Sequence, residues 1–203
     1  MNDLKKRILE ISYKKGLAHL GSCLTAYPII EEIYKIKKPN EKFILSAGHS
    51  ALALYCVLEA RGGRNAEDIF NHHGVHPDRC SQCGLDYSCG SLGHGIGAAV
   101  GMALADRAKG VYCLLTDGEC AEGSVFEALR IAGEQKLNNL KVYVNCNSYG
   151  AYGEIDVDLL EKRLHMFFPV EVVRTDVNQL PFLKNQGAHY YKMTEADYEM
   201  LVQ

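Results

Sequence analysis

The chain has 203 residues, 47% hydrophobic and 23% charged, with 22 basic against 25 acidic side chains for a formal net charge of −3. A chain of this size buries one good core, so a single domain over residues 1–203 is expected. So even a charge balance carries no electrostatic footprint for nucleic acid or an anionic membrane surface.

The chain opens on a helical pattern, with Leu4, Ile8, Leu9 and Ile11 on one face, rather than on the apolar run of an export signal. No segment is long and apolar enough to span a bilayer, and the expected location is cytoplasmic. Helices are predicted over residues 4–14 and 26–36, a short strand over 42–45, and helices over 49–61 and 66–72. A loop over 74–95 leads to a helix over 96–107, a strand over 111–115, a helix over 122–136 and a strand over 142–144. The tail adds a helix near 157–166, strands at 170–173 and 188–191, and a last helix from Thr194. Strands alternating with helices, with no low-complexity linker and no repeat, predict an α/β fold. It would be a doubly wound parallel sheet with helices on both faces.

Eight cysteines suit a disulfide framework in a small secreted protein, but neither the size nor the start of this chain fits one. Cys23, Cys56, Cys113, Cys120 and Cys146 fall in or beside apolar segments and read as small buried hydrophobes. His72, His73, His76, Cys80, Cys83 and Cys89 crowd into one short stretch that contains a CxxC. A zinc site can be assembled from them. Against it, no second CxxC follows, and the stretch lies in a loop expected near a cofactor.

The chemistry concentrates where the strand at 111–115 runs into Thr116-Asp117-Gly118-Glu119 and the strand at 142–144 runs into Asn145-Cys146-Asn147-Ser148-Tyr149. A parallel strand–helix–strand unit brings Asp117 and Asn147 together at the carboxyl edge of one sheet, where open α/β sheets bind ligands. Both are expected at exposed strand ends. A carboxylate and an amide oxygen are hard donors, suited to Mg²⁺ carrying a phosphate ligand. Each residue also has a plainer reading. Asp117 can cap the helix that follows, and Asn147 can end its strand in a turn. Gly93, Gly95, Gly97 and Gly101 can simply permit close helix packing, and His49 or His76 can be structural histidines.

The Asp117–Asn147 spacing resembles the thiamin diphosphate motif, with Thr116 in place of its first glycine. Ala18-His19-Leu20-Gly21-Ser22, Leu45-Ser46-Ala47-Gly48-His49, His76-Pro77-Asp78 and the glycine-rich run from Gly90 to Ala103 follow in the order seen in the transketolase family. With Asp117-Gly118-Glu119 and Glu122-Gly123, the chain resembles the amino-terminal, diphosphate-binding half of a transketolase over about residues 1–150, and more loosely beyond. Several motifs in register are far more specific than one glycine-rich run.

The resemblance implies thiamin diphosphate and Mg²⁺ as cofactors, with Asp117, Asn147 and the carbonyl of Tyr149 as metal ligands. It implies that Gly118 and Glu119 offer backbone N–H groups to the diphosphate and that His49 contacts it. His19 and His76 would line the channel above the thiazolium and move protons. Gly90, Ser91 and Leu92 would touch the rings, with Leu92 as an apolar wedge. The implied activity is transfer of a two-carbon ketol unit between sugars or sugar phosphates.

Full-length family members carry the glutamate that activates the aminopyrimidine on a second domain. The expectation is therefore a chain without the pyrimidine-binding and carboxyl-terminal domains, paired with a carboxyl-half transketolase subunit in an α₂β₂ assembly. A Trp-His pair common in the family is missing, since the chain has no Trp, and His189 is the residue left to replace that contact. His94 stands where many members have Gln and Cys89 where they have Thr, which leaves the sugars open. The alternatives are the α-subunit of a 2-oxo acid dehydrogenase or another thiamin-dependent lyase, and a non-catalytic cofactor-binding or assembly subunit. The His-Pro-Asp and Ser-Ala-Gly-His motifs favour transketolase over the dehydrogenase.

Overall fold

The computed structural model describes residues 3–202. Four short apolar runs pair in parallel. They are β1 (Lys42–Leu45), β2 (Val111–Thr116), β3 (Leu140–Cys146) and, after a small antiparallel hairpin of β4 (Tyr149–Gly150) and β5 (Gly153–Glu154), β6 (Glu171–Arg174). Their order in the sheet is β1-β2-β3-β6. β2 is buried at every position, so both faces of the sheet have to be covered.

Side-chain alternation sorts the two faces. Phe43, Leu45, Tyr112 and Leu114 join an apolar cluster with α1 (Asp3–Lys15), α2 (Leu20–Ile36), α3 (Ala51–Ala60) and α4 (Ala66–His73). Ile44, Val111, Cys113, Leu115, Val142 and Val144 join another with α5 (His94–Ala105), α6 (Gly123–Glu134) and α7 (Val157–His165). The last helix, α8 (Glu195–Val202), returns to the first face, where Tyr198 stacks on Tyr13 with ring centroids 4.4 Å apart. This is the doubly wound sheet the sequence predicts. Cys23, Cys56, Cys113, Cys120 and Cys146 are all buried free thiols, as expected.

Local signals set the helix ends. The Asn65 side chain accepts the N–H groups of Glu67 and Asp68 to start α4, and Asp156 accepts that of Leu159 to start α7. Pro28 stands inside α2 and has no N–H for the Leu24 carbonyl. Gln179 Nε2 supplies the missing donor at 3.3 Å, so the helix continues.

Two predicted elements change. α2 begins at Leu20 rather than residue 26, because His19 takes a left-handed backbone (φ 62°) and its carbonyl accepts the Cys23 N–H. The strand expected over 188–191 is instead a 3₁₀ turn, Asn185–His189. Its fully buried Ala188 packs on Gly21, where an added Cβ would come within 3.1 Å of the Ala188 methyl. The segment takes a seat on α2, not a place in the sheet. Among the described residues no helix is long and apolar enough to cross a membrane.

Candidate cofactor site

The carboxyl ends of β1, β2 and β3 release three neighbouring segments: Ser46 to His49, Asp117 to Glu119, and Asn147 to Tyr149. From these segments His49, Asp117, Gly118, Glu119, Asn147 and Tyr149 join His19, Leu92, His189 and Tyr190 in walling a pocket that encloses about 520 Å³ of empty space, part of it open to solvent. Asp117, Asn147, His19 and His49 thus meet at one sheet edge from four separate parts of the chain.

Asp117 and Asn147 are 2% and 4% exposed, which corrects the expectation of exposed strand ends. The reason is the β4–β5 hairpin. Gly150 lies against Gly118 so closely that a Cβ on Gly118 would sit 3.1 Å from the Gly150 Cα. The plainer roles of both residues are also present. Asp117 Oδ1 accepts the Gly118 N–H at 2.9 Å, and Asn147 Oδ1 accepts the Tyr149 N–H at 3.0 Å in an Asx turn. Asp117 Oδ2 takes the Ser148 N–H at 2.7 Å, and Ser148 holds a left-handed φ of 71° to deliver it.

These bonds leave room for a cation. An ionised carboxylate offers about four acceptor positions, and the two backbone N–H groups occupy half of them. Burial pushes the Asp117 carboxyl up to about 6, although backbone N–H groups, led by those of Ser148 and Gly118, oppose that. A divalent cation beside it reverses this shift. Asp117 and Asn147 therefore fit a magnesium ion by donor chemistry and place.

Three imidazoles face this acidic floor. The His19 and His49 rings lie 4.9 Å apart, and His189 Nδ1 meets Ser22 Oγ at 2.8 Å. Burial pulls His49 down to about 3, helped by His19, His189 and His76, so it is neutral at pH 7. Burial lowers His19, with His76 adding to it, and burial with His19 lowers His189 against the pull of the Tyr149 carbonyl. His19 Nδ1 and His189 Nε2 are buried without a hydrogen-bond partner among the described residues. Buried polar atoms rarely stay unpaired in a finished structure, so His19 Nδ1 calls for a polar ligand, while His189 Nε2 has the Tyr149 carbonyl beside it.

The floor is fixed by Glu119. Its backbone N–H donates to Thr116 Oγ1 at 3.2 Å, and its fully buried Oε1 accepts from the Ser46 hydroxyl and from the Gly93 N–H at 2.7 Å. A Cβ on Gly95 would fall 2.5 Å from Ser46 Oγ, so only glycine lets α5 start so close to the end of β1. With Gly118 bonded to Asp117, both N–H groups assigned to the diphosphate already have partners within the chain.

Leu92 lines the pocket half-buried, whereas Gly90, exposed Ser91 and exposed His76 stand outside its wall. His76 and Gly90 are adjacent: a Cβ on Gly90 would lie 3.6 Å from that of His76. Sequence reasoning missed three features. The side chain of Glu119 bridges β1 and α5, Tyr190 closes the rim with its ring 6.0 Å from that of His19, and the hairpin covers Asp117. Only Gly150 and Gly153, the glycines flanking the Ala151-Tyr152 turn, gave a local signal for the hairpin.

Residues 13–173 match the family model described as transketolase, thiamine diphosphate binding domain. Transketolase of Mus musculus is 35% identical over 190 residues, covering 82% of this chain and 30% of the mouse protein. One subunit of the apulose-4-phosphate transketolase of Phocaeicola vulgatus is 35% identical, covering 70% of this chain and 58% of its own length. A 6-deoxy-6-sulfo-D-fructose transketolase subunit of a Clostridium species is 31% identical, covering 84% and 67%. Transketolase from Leishmania mexicana superposes with a TM-score of 0.77 at 20% identity, over 98% of this chain and 40% of that one, which shows the shared fold. The chain thus spans under a third of the mouse enzyme and most of the Clostridium subunit. Its sheet edge, its motifs in order and these matches together make the chain a member of the transketolase family, carrying its thiamine diphosphate-binding domain.

Proposed function

We propose that this chain is the diphosphate-binding subunit of a two-part transketolase, and that the assembled enzyme moves a two-carbon ketol unit from a ketose to an aldose. The observation that carries the reading is the convergence of buried Asp117 and Asn147 with His19, His49 and Leu92 around one pocket. Asp117, Asn147 and the Tyr149 carbonyl would hold Mg²⁺, and the ion would hold the diphosphate. Thiamin diphosphate, when bound, supplies a carbanion that adds to a carbonyl and a ring that takes up electrons as a carbon–carbon bond breaks.

The chain's own residues have separable tasks in this reading. His49, neutral at pH 7, donates a hydrogen bond to the diphosphate. His19 and His76 hold and move protons at substrate hydroxyls, a role suited to imidazole nitrogens, which can both accept and donate a proton. His19 sits in a strained left-handed conformation, and such strain gathers at functional sites. Leu92 and the hairpin keep water from the reacting carbon. His189 takes the place of the missing family histidine, with Ser22 fixing its ring.

Two relatives named as transketolase subunits support a separately encoded partner, which would bring the carboxyl half and its catalytic glutamate. An α₂β₂ assembly is the expected closed form. The family match favours this reading over the 2-oxo acid dehydrogenase α-subunit, which shares only the Asp–Asn pair. Co-expression with a carboxyl-half subunit tests it: ketol transfer should need both chains, Mg²⁺ and thiamin diphosphate. No transfer from an assembly that binds the cofactor would favour the non-catalytic reading instead.

A further inference from the structure

Six histidines and cysteines between residues 72 and 89 have no part in the pocket chemistry except His76, and the fold sorts them. Ligand atoms of His73, Cys80 and Cys83 all lie within 4.8 Å of one another. His72, His76 and Cys89 do not join them. Cys89 instead packs where a Cβ on Gly48 would meet its carbonyl carbon at 3.1 Å. Cys83 is buried, and Cys80 and His73 are half-buried.

The backbone around the two cysteines has a particular shape. Cys80 and Leu85 exchange both backbone hydrogen bonds, at 2.9 and 2.8 Å. Inside that ladder Cys83 N–H returns to the Cys80 carbonyl at 3.2 Å, and Gly84 turns the chain with a left-handed φ of 76°. This knuckle directs both thiols to one side and places the N–H groups of Gln82 and Cys83 by the Cys80 sulfur. N–H groups facing a sulfur stabilise it as a thiolate, the form that binds metal. Nη1 of Arg64 lies 3.8 Å from Cys83 Sγ and adds positive charge behind the pair. On the open side, His73 Nε2 is buried with no hydrogen-bond partner among the described residues, and its ring is held edge-on by His72 with centroids 4.5 Å apart.

We propose that His73, Cys80 and Cys83 bind one zinc ion, with solvent in the fourth tetrahedral position. Two sulfurs and one imidazole nitrogen are a soft donor set that selects zinc over magnesium or calcium. Around a tetrahedral zinc such atoms stand about 3.5–3.8 Å apart, so the cluster, now within 4.8 Å, needs to close by about 1.3 Å at most, within reach of small rotations about the side-chain bonds. The ion would staple the end of α4 to the start of the excursion that carries His76 and Gly90 toward the pocket. It is a structural clamp beside the cofactor site and independent of the magnesium assignment.

Metal analysis of the full chain, purified reduced with zinc supplied, tests this. About one zinc per chain is expected. Cobalt in its place should show the intense visible bands of a tetrahedral site with thiolate charge transfer, a reading that needs no variant. C80S and C83S should each abolish stoichiometric zinc, and His73→Ala should weaken binding at least ~100-fold, since each removes one of three protein ligands. Cys89→Ser and His72→Ala should retain it. Chelation should raise hydrogen exchange over residues 74–92. Substoichiometric zinc with an octahedral cobalt spectrum would overturn the site, as would zinc that survives in C80S. So would a Cys80–Cys83 disulfide in protein isolated without reductant whose zinc uptake ignores His73→Ala. Unchanged exchange after zinc removal would overturn the clamp.

Discussion

Asn145 and Asn147 stand two residues apart where β3 meets the pocket, both buried, and they serve opposite ends. Asn145 is answered within the protein: its Nδ2 donates to Thr25 Oγ1 at 2.9 Å, and its Oδ1 accepts from Thr175 Oγ1 at 2.7 Å. Those bonds tie β3 to α2 and to the segment after β6. Asn147 lies past the edge of the sheet, where its Oδ1 receives only a local backbone N–H and its side chain lines the pocket. The same contrast separates the two regions around them. The sheet interior is apolar on both faces. At its carboxyl edge, His19 Nδ1, His189 Nε2 and Glu119 Oε2 are buried without partners among the described residues, and His19 and Ser148 hold left-handed backbone. Interior order follows from burial, while unpaired groups and strain mark the place where a ligand completes the structure.

The largest loss should come from breaking the edge. Asn147→Ala or Asp117→Ala in the assembled enzyme should abolish ketol transfer, because Mg²⁺ demands near-octahedral oxygen ligands. With Mg²⁺ bound, Asp117→Ala should also lower stability by roughly 2–3 kcal/mol, since the Gly118 and Ser148 N–H groups lose their acceptor. Steady-state kinetics and denaturant unfolding read the two effects apart. Ketol transfer persisting in Asn147→Ala would remove it from the ligand set.

Next in size are the histidines. His19→Ala or His76→Ala should lower turnover by roughly 10²–10⁴-fold while leaving cofactor affinity nearly unchanged. His49→Ala should do the reverse, weakening cofactor binding by roughly tenfold or more through a lost hydrogen bond to a charged group. If all three variants lose affinity alike, with no separate turnover defect, the division of tasks is wrong.

Much of this was legible in the sequence because it rests on periodicity and order. The apolar runs of β2 and β3 announce buried parallel strands, and the spacing between them fixes which side of the sheet Asp117 and Asn147 share. What escaped depends on tertiary contact. Nothing in a histidine foretells φ 62° at His19, so the start of α2 came out late. A strand is expected around 188–191, yet Ala188 is held by Gly21 on α2 in a 3₁₀ turn. Burial of Asp117 depends on a hairpin of two-residue strands, too short for a periodic pattern. The stretch from 72 to 89 offered six metal-ligating side chains, and only the fold shows which three converge.

Two smaller effects separate interior from edge more finely. Asn145→Ala should cost roughly 1–3 kcal/mol of unfolding free energy by removing its bonds to Thr25 and Thr175, whose hydroxyls keep the Ser22 and Cys146 carbonyls, with catalysis by the folded enzyme little changed. A larger loss of cofactor affinity than of stability would place Asn145 with the site. The Asp117 carboxyl supplies a pH test. Its folded pKa of about 6 lies above the usual 3.8, so between those values the folded state binds more protons than the unfolded one. Metal-free stability from this group is therefore present below the lower value and lost as pH rises through about 6, by roughly 2–3 kcal/mol. The wild type minus Asp117→Asn difference in unfolding free energy should show that slope without Mg²⁺ and lose it when Mg²⁺ saturates. A flat difference without metal would mean that burial does not perturb the carboxyl.

Everything assigned to the sheet edge depends on Asp117 and Asn147 holding the diphosphate through a cation. Calorimetric titration of thiamin diphosphate into the assembled protein, with Mg²⁺ or with chelator, for wild type and Asp117→Asn, probes that dependence without relying on turnover. Wild-type binding should need Mg²⁺, and in Asp117→Asn the affinity should be at least ~100-fold weaker and no longer respond to the cation. Equal wild-type affinity in chelator, or undiminished magnesium-dependent binding in Asp117→Asn, would contradict it.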